Sequence, residues 1–583
     1  MTDALRPVEQ ALVEHVERGE LLDLAGDSPV DEEAMRGWDE SRTIRAWVVR
    51  DIMRGRLAPE PDPRGLLLRG ARITGRLHLG NVISSVWLEL YQCFLDEGLN
   101  ARDARLAGIA LSGCRLERST GDVLSACRMT ADLLWINEGT SVEGQGPTAV
   151  DLSGTHLGEL DCSNAVLQSA DGPALDLHSA RIELDVWLSR GFKATASGEV
   201  GTVRLMAAEI GGSLNCGGAR IRNDKGPAIN ADSLQVGRDV FLRDGFEAIG
   251  AGPEGAVNMS VARVAETISV DDATMRNETG PAFVAKGATV RLRMYWGPGF
   301  TAEGRSGDGA VLIPGAHLGG WECDGTTMRN EIGPALVAGT MRVDSDVALG
   351  AFTAVGGGNE SVIDLNDITI SGAFSFQPTR LTHLTNPQAR ISLDELTYRG
   401  LPVGIGWVEW LELLREGTLG YAAQPYQHLA AAQRAAGHDR EARRILMDQR
   451  RDQIRRALNG RAERAWARFT GLVLGYGYQP WRALLGLFVV LVAGGVLAVV
   501  LGGTGLAQVR AGAAPTACPV IDRIAVGLEL GTPLISTPAR LRCEATNTGA
   551  GQALTITGWV LRLMAWAFAT LFIAGFTGAV RKT

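Results

Sequence analysis

The chain is 583 residues long, 45% hydrophobic, and carries 57 basic against 66 acidic residues for a formal net charge of −9. That balance excludes a generally basic, nucleic-acid-coating protein. No Cys-x-x-Cys, His-Glu-x-x-His, Walker A or Gly-x-Ser-x-Gly motif occurs, so no common catalytic class announces itself.

Residues 1–64 read as an N-terminal helical cap. Val8 to Leu22 and Glu32 to Arg56 carry helical spacing (Trp47, Val48, Ile52, Met53), with Asp31 as N-cap of the second stretch. Pro59, Pro61 and Pro63 end it.

Residues 65–400 are repetitive. Ala165–Ala174, Ala219–Ala228, Ala273–Ala282 and Thr326–Ala335 are copies of one phrase; their prolines at 173, 227, 281 and 334 stand 54, 54 and 53 residues apart. A fixed period means stacked units. Within it, apolar pairs two apart recur: Leu175/Leu177, Ala180/Ile182, Val186/Leu188 and Phe192/Ala194, then Val203/Leu205, Ala208/Ile210, Leu214/Cys216 and Ala219/Ile221. This is the period of strands with one buried face, and each set of four fills about 27 residues. The spacing predicts a mainly β fold, a right-handed four-sided β-solenoid. Fourth sides alternate between Phe-x-Ala (Phe192, Phe246, Phe300, Phe352) and Ala-x-Ile/Met (Ala219, Ala273), which explains a visible period of two coils. Between residues 88 and 116 the pairs come about every five residues and resemble a pentapeptide-repeat helix. About thirteen coils fit between Leu66 and Tyr398, a column of about 60 Å at ~4.8 Å per coil.

Few solenoid residues point to chemistry. Arg222, Arg276 and Arg329, with Asn223, Asn277 and Asn330, are expected to stack at every second coil. They form either a ladder for a partner or corners in which Asn and Gly-Pro shape the turn while arginine and acid neutralise each other. Trp187, Phe241 and Tyr295 alternate with inward residues and form an outward aromatic stripe, able to bind or to pack under corner loops. The one Gly-x-Gly-x-x-Gly, Gly250–Gly255, lacks the strand-turn-helix context of a dinucleotide site. The eight histidines form no ligand pattern, and Cys93, Cys114, Cys127, Cys162, Cys216 and Cys323 read as core residues of a reducing compartment.

Residues 401–480 read as a basic juxtamembrane helical region with a helical hairpin. From Arg440 to Arg468 ten arginines face four acids, and Arg450, Arg451, Arg455, Arg456, Arg461, Arg464 and Arg468 suit an anionic lipid surface. Residues 481–583 are expected to form a two-span transmembrane domain. Ala483 to Ala507 is 25 residues without a charge, able to span ~37 Å. The second run, Trp559 to Val580, is broken only by Arg562, read as snorkelling to the interface. Arginines before the first span and Arg581-Lys582 after the second place both flanks inside. Solenoid and termini are then cytoplasmic and residues 508–556 an external loop, in which Cys518 and Cys543 are free to pair. Small-residue pairs, Gly494/Ala498 and Ala574/Gly578, suit helix packing.

Five segments in this order carry a resemblance: Arg42-Thr-Ile-Arg-Ala46, read as helix; Leu68 to Leu77, in the pattern Leu-x-Gly-Ala-Arg-Ile-x-Gly-x-Leu; Pro425 to Ala430; Gly475 to Pro480; and the two spans. The chain resembles actinobacterial membrane-anchored β-solenoid, pentapeptide-repeat-like proteins commonly labelled membrane-associated oxidoreductases. The resemblance implies the fold, the anchoring and, through its label, a redox activity; it supplies no catalytic residue to carry over.

Three functions follow. The first is a scaffold or interaction protein of a bacterial cytoplasmic membrane, with anionic lipid and a protein partner or a second copy, no nucleic acid and no cofactor. The second is an oligomeric pore or effector, and the third the labelled oxidoreductase.

Overall fold

The computed structural model describes residues 4–27, 30–457, 460, 463, 481–508, 516–532 and 538–582. Two compact units divide it, residues 1–428 and 429–583.

The first unit opens with helix α1 (Pro7–Arg18), strand β1 (Leu22–Asp23), α2 (Glu32–Gly37), β2 (Thr43–Arg45) and α3 (Ala46–Met53). Asp31 caps α2, its carboxylate accepting from the Ala34 N–H at 2.8 Å. The continuous helix expected over 32–56 is instead split between Gly37 and Ala46, with β2 in the gap. β-branched Thr43 and Ile44 are better used in a strand, and β2 pairs in parallel with β4 (Arg72–Thr74), Ile44 opposite Ile73. β1 likewise pairs with β3 (Leu66–Arg69), Leu22 opposite Leu68. The preceding segment thus supplies backbone partners to the first solenoid strands, whose edges would otherwise be unpaired.

From Leu66 the chain winds into a β-solenoid of about 13 turns. Among the described residues its strands lie in parallel sheets of 23, 14 and 13 members. A turn such as Leu175–Ala196 contributes four short strands, at 175–176, 181–182, 186–187 and 193–196, each pairing with its counterpart one turn later. The middle two share the 23-stranded sheet. Turn length alternates: Leu175, Val203, Ile229, Val257 and Phe283 stack in register at steps of 28, 26, 28 and 26. Two turns therefore make 54 residues, the period of the repeated phrase.

Packing inside explains why the period is double. Leu167, Ala194, Ile221, Ala248, Met275, Ala302, Met328 and Ala354 form one inward column, large and small in alternation. Beside it Phe192, Ala219, Phe246, Ala273 and Phe300 alternate in the opposite phase, and all are buried. Each turn pairs one large and one small residue, so its interior volume stays constant at close-packed density.

Two corner devices recur, the first in each turn and the second in the turns that carry the repeated phrase. The first is a left-handed residue, among them Ser179 (φ 55°), Ala207 (54°), Ser233 (58°) and Val261 (56°). In several turns an Asp or Asn three residues earlier accepts the backbone N–H of the intervening residue, as Asp176 does from His178 at 2.9 Å and Asn258 from Ser260 at 3.0 Å. The second is the Gly-Pro corner. A Cβ on Gly172 would collide with the carbonyl oxygen of Pro147, and one on Gly280 with that of Gly252, each in the preceding turn. Backbone approach, not turn type, fixes glycine there.

After the last strand (Ile391–Ser392) come α4 (Trp407–Glu416) and α5 (Gln424–Ala435). Trp410 of α4 is buried against Phe374 and Phe376, ring centroids 6.0 and 5.6 Å away.

The second unit begins within α5 and holds α6 (Asp439–Arg456), α7 (Trp481–Gly505), α8 (Val520–Gly531), α9 (Ala539–Arg542) and α10 (Gly549–Lys582). α7 and the Gly549–Ala574 stretch of α10 are long and apolar enough to cross a membrane. The second apolar helix thus starts ten residues before the Trp559 expected from sequence, which puts Arg562 near the middle of that stretch rather than near its start. Residues 508–556, expected as a loop, contain α8 packed against α7. They also contain strands Thr516–Ala517 and Cys543–Ala545, which pair antiparallel with Leu506–Gln508.

Candidate interaction surface

The Arg-Asn-acid corners divide cleanly into a buried and an exposed part. Thr195, Arg222, Ile249, Arg276, Glu303 and Arg329 form one outward column, one residue per turn. Arg222 pairs with Asp224 at 3.0 Å, Arg276 with Glu303 at 2.8 Å and Arg329 with Glu331 at 2.9 Å. The Arg329 guanidinium draws the Glu331 carboxyl below its ordinary value. These pairs are exposed and their charges compensate, so solvent screens them strongly. Asn223, Asn277 and Asn330 are buried. Asn223 donates its amide to the Gly198 carbonyl at 2.9 Å and accepts the N–H groups of Lys225 and Gly226 at 2.9 and 2.8 Å. Asn277 and Asn330 donate to Gly252 and Ser306 at 3.0 and 2.7 Å. The asparagines thus tie one turn to the next, while the arginines meet acids on the exposed side.

The aromatic stripe is a true column. Trp187, Asn215, Phe241, Ser269, Tyr295 and Glu322 lie opposite one another in successive turns. Its rings are half-buried. Arg243 lies 4.3 Å over the Phe241 ring. Carboxylates surround the column. Burial, then Asp161 and Asp185, push the Glu159 carboxyl up, opposed by a hydrogen bond from Trp187. Burial, then Glu322, Asp271 and Asp324, raise the Tyr295 phenol. Arginines share the same face, Arg293 pairing with Glu322 at 2.7 Å.

The neighbouring strand row carries a groove that the sequence reading missed. It has a volume of about 580 Å³ and is lined by His156, Arg181, Glu209, Gln235, Arg263 and Arg291, with Gly211 and Gly237 on its floor. Part of its rim is paired, His156 with Glu183 at 3.1 Å and Arg181 with Glu209 at 3.2 Å; farther along the same row, His317 meets Asp344 at 2.9 Å. The only signal in sequence is glycine just after the inward residues Ile210 and Val236, a weak one because residue type varies along the rim.

The basic block is less basic than its composition. On α6, Arg451 pairs with Asp448 at 2.8 Å, and Arg455 and Arg456 with Asp452 at 3.0 and 2.7 Å. Asp448 and Asp452 are buried. Arg450 is exposed and donates to Gln453 at 2.6 Å. Arg461, Arg464 and Arg468 lie outside the described residues, as does the Gly475–Pro480 lead-in.

The six solenoid cysteines are buried. Burial pushes the Cys216 and Cys323 thiols up to about 12 and those of Cys114 and Cys162 well above their ordinary value, so they stay protonated. Cys518 and Cys543 form a disulfide, with Cα atoms 6.3 Å apart. Gly250 ends a strand (Phe246–Gly250) and the chain passes by a loop to the next strand at Val257, with no helix after it. Among the described residues no group of three or more His, Cys, Asp or Glu is placed to hold a metal ion, and no catalytic constellation is evident. No protein-family model, curated protein or solved structure matches this chain.

Proposed function

We propose that this protein is a membrane-anchored scaffold, a right-handed four-sided β-solenoid with helical caps (α1–α3 and α4) that presents a partner-binding surface on the cytoplasmic side of a bacterial membrane. The observation that carries the reading is the outward register itself. Half-buried aromatics among carboxylates repeat along Trp187, Phe241 and Tyr295, while the charged corners are spent in pairs. A surface repeated turn after turn suits an extended partner or a second copy, whereas catalysis needs convergence at one point. The apolar helices α7 and α10 support anchoring, and the exposed arginines of α6 support contact with anionic lipid. The family likeness and the pentapeptide-like character of residues 88–116 belong to the same proposal.

Mass photometry and absorbance spectra of the detergent-solubilised full-length protein, with cross-linking in native membranes, test it. A colourless species of one defined multiple, or one with a stoichiometric protein partner, is expected. Flavin or haem absorbance near one per chain overturns it and restores the oxidoreductase. A pore is the second reading, favoured by Glu529 and Arg562 lining one cavity between otherwise apolar helices. Ion flux through proteoliposomes distinguishes it from a simple anchor.

A further inference from the structure

The span Trp481–Gly505 is not covered by α10 alone. Gly494, at its middle, meets Gly527 of α8 backbone to backbone. A Cβ built on Gly494 would lie 2.6 Å from the Gly527 carbonyl oxygen, and one on Gly527 2.5 Å from that of Gly494. Contacts continue on both sides of this crossing. A Cβ on Gly502 would sit 3.2 Å from Arg523, and one on Gly531 would sit 3.2 Å from Leu491. As α8 advances from 523 to 531, its neighbours on α7 run back from 502 to 491. α8 is therefore antiparallel to α7 and ends beside its central residues. By Cys543 the chain has returned to the far end of α7, where Cys543 pairs with Gln508 and is joined to Cys518. Entry and exit share one mouth.

We propose that α8 is the descending arm of a re-entrant hairpin whose mouth is the disulfide-bearing face, dipping to mid-bilayer with a water-filled vestibule behind it. The inference rests on the anchored reading above, since it requires α7 to cross a membrane. Its lipid contact is acyl chain. Ile521, Ile524 and Leu528 are 80, 41 and 43% exposed along one flank of α8, and the span beside them fixes what surrounds them. The vestibule is a cavity of about 900 Å³ lined by Glu529, Leu530, Glu544, Thr555, Trp559 and Arg562. Charged side chains at membrane depth belong on bundle interiors or water-filled cavities.

The full-length protein in proteoliposomes decides it. Nitroxides at Ile521→Cys, Ile524→Cys and Leu528→Cys should report a several-fold rise in oxygen-over-nickel-chelate collision ratio from 521 to 528, a descent of about 10 Å. Arg562→Cys, or Thr555→Cys should that variant fail to fold, should react with a charged methanethiosulfonate added from the disulfide face. Aqueous collision behaviour at Leu528→Cys overturns the hairpin, and an unreactive thiol at both cavity positions overturns the vestibule. Labels at Phe488→Cys and Val496→Cys on α7 separate the two failures. If they too are aqueous, the anchoring reading falls with the proposal; if they report lipid, only the proposal falls.

Discussion

Asn277 of one solenoid turn donates its side-chain amide to the carbonyl oxygen of Gly252 in the turn before, at 3.0 Å, while its own oxygen accepts the Thr279 N–H at 3.0 Å. Its neighbour Arg276 points the other way, into an exposed pair with Glu303. Asn277→Ala leaves a buried carbonyl and an N–H without partners and is expected to cost about 1–3 kcal/mol. Arg276→Ala is expected to cost under about 1 kcal/mol. Urea unfolding followed by circular dichroism ranks the two. A costlier Arg276→Ala would mean that the exposed ladder, not the buried amide, holds the corner.

The inward column gives a sharper test of stacking. Ala248 lies between Ile221 and Met275 of the adjacent turns, beside Phe246 of its own. Ala248→Met should overpack this point and destabilise by about 1–3 kcal/mol, and Phe246→Ala should cost about 3–5 kcal/mol. Combining them restores the volume of that turn but stacks three large residues in succession, so the double variant should not recover the stability lost. Recovery to within about 1 kcal/mol of the parent would mean that volume is balanced within a turn and the alternation between turns is incidental.

These two sites show what was legible in sequence. Inward positions such as Leu175, Ile182, Leu188 and Ala194 are readable because one buried face forces a two-residue period on every strand, and all four are buried. Arg42–Ala46 was misread because a short strand inside a helical pattern has too few residues to set its own period. Its pairing with Arg72–Thr74 is a long-range demand. The Asn223 corner was legible as one of two readings, since its Gly-Pro neighbours mark a turn. The groove over Gly211 and the packing of Gly527 on Gly494 depend on which surfaces meet in space. A glycine records close approach without naming what approaches.

Within the N-terminal segment a buried charge ties α1 to β2. Glu9 is fully buried, accepts from the Arg45 guanidinium at 2.6 and 2.9 Å, and accepts the Arg6 and Arg45 N–H groups at 2.8 and 3.1 Å. Burial alone would push its carboxyl up; these donors outweigh it and hold the pKa below the ordinary 4.5. Because the folded value is depressed, the unfolded chain takes up the proton first as pH falls. The stabilisation is present above about pH 4.5 and is lost as pH drops through the lower, folded value. Glu9→Gln should cost about 2–3 kcal/mol at neutral pH and flatten the acid dependence below pH 4.5. An unchanged acid limb in the variant would remove Glu9 as its source.

The disulfide bears on both topology and stability. Cys518 and Cys543 are separated by 25 residues, with α8 and α9 between them, and sit against Leu506, Val526, Leu530 and Leu554 in one buried apolar cluster. Closing a loop of that length removes about 3 kcal/mol of unfolded-chain entropy. Cys518→Ser with Cys543→Ser should therefore loosen the second unit while leaving the solenoid transition where it was. Differential scanning calorimetry in detergent should show one endotherm moving and the other fixed. The compartment can be read from the same pair, because a disulfide persists outside the reducing cytosol. Alkylation of intact cells with a maleimide-polyethylene glycol, followed by reduction and a second alkylation, should tag both positions only after reductant. The solenoid thiols, all buried, should stay silent until the protein is denatured. Because maleimide-polyethylene glycol does not cross the membrane, no tag on Cys518 and Cys543 either before or after reductant would put the mouth of the hairpin on the reducing side, and with it the solenoid on the opposite one.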